Sequence, residues 1–156
     1  MARWHYRDGL LLALYPPAFA AHVAEELLAG EGFRHWFGRI GGGTLSLRAF
    51  LTINVVGFAV VLTGAVFATR RDTAGWLAIA LATLFSANAL LHLLGTMLTG
   101  AYSPGLITGV VLYVPIGSLV LLRAAPQADQ RALTTGTVAG LAAQAAVFAT
   151  ALLVAG

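Results

Sequence analysis

Long apolar runs separated by short polar ones set the pattern of this chain. Five of them, Gly9–Leu28, Ser46–Thr69, Ala74–Leu98, Pro104–Leu122 and Ala132–Ala155, approach or exceed the length of a membrane-crossing helix, which needs about 20 mostly apolar residues. The segment "EGFRHWFGRIGGGT" between the first two runs is too polar to span. Its Phe33, Trp36, Phe37 and Ile40 are interspersed with Arg34, His35 and Arg39, which predicts a short interfacial helix ended by Gly41–Gly43. The other connections are short, so neighbouring helices should run antiparallel. Basic residues, an apolar run and small residues at Ala18 and Ala20 give the N-terminus some features of a secretory signal. Pro16-Pro17 interrupts that run, and we read it as a first membrane helix kinked at the prolines. The expected fold is all-α: an integral membrane bundle of five transmembrane helices with a short interfacial helix between the first and second, one domain over residues 1–156. No internal repeat is visible.

Composition strengthens this picture. The 156 residues are 59% hydrophobic and 10% charged, with a mean hydropathy of +0.85; soluble domains carry about 25% charged residues. The absence of cysteine excludes thiolate chemistry, iron–sulfur clusters and disulfides. All nine basic residues are arginines, lying between the apolar runs rather than in a stripe, which argues against a nucleic-acid partner. With five spans, six arginines (Arg3, Arg7, Arg70, Arg71, Arg123, Arg131) fall on one side and three (Arg34, Arg39, Arg48) on the other. The excess marks the cytoplasmic face, giving an N-terminus inside and a C-terminus outside.

The few polar residues inside the runs change the picture further. His22, Glu25 and Glu26 end the first run, Asn88 and His92 end the third, Asn54 lies early in the second, and Tyr102 precedes the fourth. At about 1.5 Å per residue, all of these fall in the same half of the bilayer whatever the orientation. Ionisable residues within a span are costly and usually face the bundle interior. Plainer roles exist: the glutamates hydrated at the interface, His92 bonded to a carbonyl or to Asn88, Tyr102 as an interfacial anchor, Pro104-Gly105 as a turn. Glycines at 105/109 and 136/140 would let helices approach closely, Pro115 should bend the fourth helix, and Gln144 should bond to a neighbour.

"HVAEE" fits H-x-x-E-E, "NALLH" fits N-x-x-x-H, and "YSPG" fits Y-x-P-G. In this order the three resemble the bacterial HXXEE-domain family of small membrane proteins, for which no activity is established. The resemblance implies that His22, Glu25, Glu26, Asn88, His92, Tyr102, Pro104 and Gly105 act together, and that the membrane is a bacterial inner (plasma) membrane. It supplies no substrate.

Three functions fit these residues. In a membrane metalloenzyme, His22, His92 and Glu25 or Glu26 would bind zinc or iron, the remaining carboxylate would act as base, and Asn88, Tyr102 and Asn54 would contact a lipid-like or amphiphilic substrate. A metal-free isomerase or cyclase would use the Glu25/Glu26 pair, one member holding a proton. A proton-coupled carrier or ligand-binding membrane protein is the third, and it ranks lower because inverted repeats are absent. Membrane lipid and a small amphiphile are the expected partners, and a homo-oligomer is open. No P-loop, Rossmann glycine pattern or nucleophile elbow occurs.

Overall fold

The proline pair decides how the chain begins. Pro16 and Pro17 have no N–H, so the carbonyls of Leu12 and Ala13 have no donor four residues on. In the computed structural model, which describes residues 6–69 and 74–156, α1 (Tyr6–Leu12) stops there and α2 (Tyr15–Leu28) starts with the prolines in its first turn. The first predicted span is therefore two helices of 7 and 14 residues, neither long enough to cross a bilayer alone. Among the described residues, four helices are long and apolar enough by themselves: Leu47–Ala68, Gly75–Thr99, Leu106–Gln127 and Gln130–Val154. His5, Arg3, Arg70 and Arg71 lie outside the described residues.

After α2, Gly30 and Gly32 take positive φ and turn the chain. Two single-turn helices follow, α3 (Phe33–Trp36) and α4 (Gly38–Gly41), the latter ended by left-handed Gly42. Of their large apolar side chains, Ile40 is exposed. Trp36 and Phe37 are buried, Phe37 in a small core with Leu45 and Ala151, against which Phe33, Ile53 and Phe148 pack. The polar side is held by Arg39 on Glu31 and by Arg34 donating to the Leu45 carbonyl. This connection packs its aromatic side chains against three of the long helices, at Ile53, Gly95 and Phe148.

The Ser46 hydroxyl caps α5 (Leu47–Ala68), and the Asp129 carboxylate caps α9 (Gln130–Val154). Between them run α6 (Ala74–Thr99) and a composite helix. The composite starts as α7 (Leu106–Thr108), widens to a π segment over Gly109–Tyr113, and continues as α8 (Val114–Ala124) and a 3₁₀ turn over Ala125–Gln127. The widening has a local cause. Pro115 cannot donate, and its ring would meet the Val111 carbonyl in a regular helix; the Val114 N–H instead reaches back five residues to the Gly109 carbonyl.

α6 is the central helix, packed against α5, α8 and α9. The main core gathers on it: Ala78, Ile79, Ala82, Phe85 and Ala89 meet Tyr15, Val61, Tyr113 and Val120. In the most apolar window, 39% of α6 is buried inside the protein against 17% of α5 and of α9. Leu98, Leu122 and Leu153 are almost fully exposed, which suits lipid as the surrounding solvent. The chain thus has the helices of a membrane protein. Without a hydrophobic drive between helices in lipid, close packing must hold them. A Cβ on Gly136 would lie 2.5 Å from the Trp76 carbonyl oxygen, and one on Gly140 would lie 2.5 Å from that of Ala80 and 3.0 Å from the Leu84 nitrogen. Gln144 is buried on the same helix.

Gly140→Val should therefore destabilise the bundle by roughly 1–3 kcal/mol through overpacking against backbone. The exposed Val138→Leu should change stability by less than about 0.5 kcal/mol. Unfolding in detergent micelles, followed by circular dichroism, measures both.

Candidate functional site

An α-helix turns about 100° per residue, so on α2 Glu26 lies about 40° to one side of His22 and Glu25 about 60° to the other. That divergence sends two adjacent acids to different partners.

Glu25 faces the start of α7. Its Oε1 accepts from the Tyr102 hydroxyl, the Gly105 N–H at 3.0 Å and the Ile107 N–H at 2.9 Å, and its Oε2 accepts from the Thr108 N–H at 2.7 Å. The first N–H groups of a helix have no intrahelical acceptor, and a carboxylate there satisfies them and the helix dipole together. Glu25 is a cap supplied by another helix.

Glu26 faces inward. Its Oε1 lies 3.6 Å from His22 Nε2 and 3.5 Å from His92 Nε2, and all three side chains are buried. These ligand atoms lie within 4.8 Å of one another and form a group able to hold a metal ion. Two ligand atoms each about 2.0–2.1 Å from a tetrahedral zinc are about 3.4 Å apart, close to the two shorter separations.

The outer nitrogens support the same reading. His22 Nδ1 lies 2.8 Å from the Thr108 hydroxyl, which donates to the Gly105 carbonyl. With that carbonyl as an acceptor for the hydroxyl, His22 Nδ1 can donate to Thr108 and turn its Nε2 lone pair toward Glu26 and His92. His22 Nε2 is buried with no hydrogen-bond partner, an arrangement costly for a neutral imidazole without a ligand. His92 Nδ1 lies 2.9 Å from the buried Ser103 hydroxyl. Hydrogen bonds to the outer nitrogen are how proteins orient metal-binding imidazoles.

Gly105 permits the closeness. Its φ is +105°, and a Cβ there would lie 2.6 Å from His92 Cε1 and 2.8 Å from His22 Cε1. From the other side the Phe33 ring of α3 packs on His92, with centroids 5.4 Å apart, while Trp36 packs on Gly95 and donates to the Ala101 carbonyl.

The residues singled out from sequence separate into groups. His22, Glu26 and His92 converge; Glu25 and Tyr102 bind each other beside them and outside the group of ligand atoms. Asn88 lies one turn before His92, its Oδ1 buried and unpartnered. Asn54 donates to the Phe50 carbonyl of its own helix. Sequence reading missed Ser103, Thr108 and Tyr113. Ser103 sits inside Y-x-P-G and Thr108 three residues after its glycine, but hydroxyl residues are ordinary in membrane helices and carry no signal alone. Tyr113 had only the nearby Pro115 to mark it.

A family model described as "Protein of unknown function with HXXEE motif" matches residues 13–120, which include the whole constellation around His22, Glu26 and His92. No curated protein and no solved structure matches the chain. With two thirds of its length under that match and all three motifs in place, the chain belongs to the HXXEE family.

Proposed function

We propose that this is a membrane-embedded metalloenzyme in which His22, Glu26 and His92 hold one divalent ion, zinc or iron, beside a binding site for a lipid-like or amphiphilic small molecule. The observation that carries this is the convergence of two imidazole Nε2 atoms and one carboxylate oxygen in a buried site, with both Nδ1 atoms tied to hydroxyls. Two histidines and one carboxylate are a donor set of catalytic zinc and of non-haem iron, both of which leave a position open. When bound, zinc supplies a Lewis acid and an activated water near neutral pH, and iron supplies oxidation chemistry.

The chain's own residues orient and enclose. Ser103 and Thr108 orient the imidazoles, Gly105 and Phe33 close the site from two sides, and Glu25 holds the 102–108 segment against it. Glu25 is a poor candidate for a general base because four donors already occupy it. The same division of roles weakens the metal-free isomerase, which needs the two carboxylates as a pair. We read α1 and α2 as a broken first span in a bacterial inner membrane, its N-terminus cytoplasmic; a break is tolerated at membrane depth where it is buried in protein, as Leu12 and Tyr15 are.

Purified wild-type protein should carry about one equivalent of metal by mass spectrometry. His22→Ala, His92→Ala and Glu26→Gln should each lose most of it, and full metal in the double histidine variant would refute the assignment. Glu25→Gln should keep the metal and lose about 1–3 kcal/mol of stability, the cost of weakening a partly buried charged acceptor with four donors. Ser103→Ala and Thr108→Val should each lower metal affinity about 10–100-fold, measured by competition with a chromogenic chelator.

A further inference from the structure

Beyond the two histidines and Glu26, the described residues hold three buried polar atoms without a hydrogen-bond partner: Tyr15 Oη, Tyr113 Oη and Asn88 Oδ1. Buried polar groups are nearly always paired, and an exception in a membrane interior needs a reason. Tyr113 is the most telling of them. It is 2% exposed and ends the π segment that Pro115 imposes. Its ring lies on the His22 imidazole, with centroids 4.5 Å apart and planes 32° apart, and it meets Phe85 on another side at 4.2 Å. The phenol is thus wedged between the His22 imidazole and the apolar core, and its hydroxyl meets no partner among the described residues. Single-turn π segments occur often at functional sites. Asn88, one turn before His92 on α6, adds a second unpartnered group along the helix that carries that ligand.

We propose that the Tyr113 hydroxyl is the hydrogen-bond donor to the head-group oxygen of the molecule that binds beside the His22–Glu26–His92 group, with Asn88 Oδ1 accepting from an N–H or O–H of the same head group. The substrate class is then an amphiphile with an oxygen acceptor, such as an acyl carbonyl, at its polar end. This rests on the metal reading above and adds a residue that touches substrate. The sequence holds no motif at Tyr113. The hydroxyl is a liability for the empty fold and useful only when a ligand accepts its proton, a pattern typical of sites that trade stability for function.

The test uses cobalt(II) as a spectroscopic metal and acetohydroxamate as a small carbonyl-bearing probe, titrated into purified wild-type protein and into Tyr113→Phe. Cobalt affinity should agree within about twofold, and the melting temperature of Tyr113→Phe should be equal or higher because an unpaired hydroxyl has been removed. Acetohydroxamate should bind the variant about tenfold more weakly, equivalent to about 1.4 kcal/mol. Tyr15→Phe removes the same group seven residues before His22, about 10 Å along α2, and should change neither affinity. Equal acetohydroxamate affinity in wild type and Tyr113→Phe would overturn this role while leaving the metal assignment standing. Loss of cobalt in Tyr113→Phe would make the hydroxyl a support of the metal site itself and overturn it as well. Wild-type protein that takes up no cobalt would remove both readings.

Discussion

The contact between Glu25 and the start of α7 organises the rest of the site. The N–H groups of Gly105, Ile107 and Thr108 lie where a helix begins and have no intrahelical acceptor, and leaving such groups unpaired inside a protein is costly. One carboxylate from α2 answers all three and the Tyr102 hydroxyl too. With that segment held, Gly105 can approach both imidazoles, and Ser103 and Thr108 fall on their outer nitrogens. The histidines are therefore oriented by a loop that is itself oriented by the residue next to Glu26.

On the metal reading the same arrangement balances charge. A divalent ion with a single carboxylate would leave net positive charge in a low-dielectric interior, where an uncompensated charge is costly. Glu25 accepts from the Thr108 N–H while the Thr108 hydroxyl meets His22 Nδ1. The second negative charge thus sits one residue beyond the first ring of ligands. Two adjacent acids in a chain with only six then have separate duties that a single helix turn distributes.

Much of the site was legible because helical periodicity and depth are properties of local sequence. His22 and Glu26 at i and i+4 had to share a face, and spans of known length had to bring them level with His92. The division between Glu25 and Glu26 was not legible, because it depends on what α7 presents on one side of α2. Nor was the fate of "EGFRHWFGRIGGGT": its amphipathic spacing fits an interface, and only the presence of Phe148 and Ala151 on α9 and Gly95 on α6 makes it a cap on the bundle. The first run breaks for a local reason, since two adjacent prolines remove the donors that the carbonyls of Leu12 and Ala13 would meet four residues on.

What the sequence alone determined is an all-helical chain built for lipid, with its polar groups gathered at one end, because composition and 3.6-residue periodicity act over short range. The tertiary structure decided which atoms meet. That Glu26 rather than Glu25 joins the imidazoles, that hydroxyls meet their outer nitrogens, and that a phenol with no partner lies on His22 all depend on helices crossing at distances of a few ångströms. Those crossings are set by glycines meeting backbone far away in the chain, a relation that no local pattern contains.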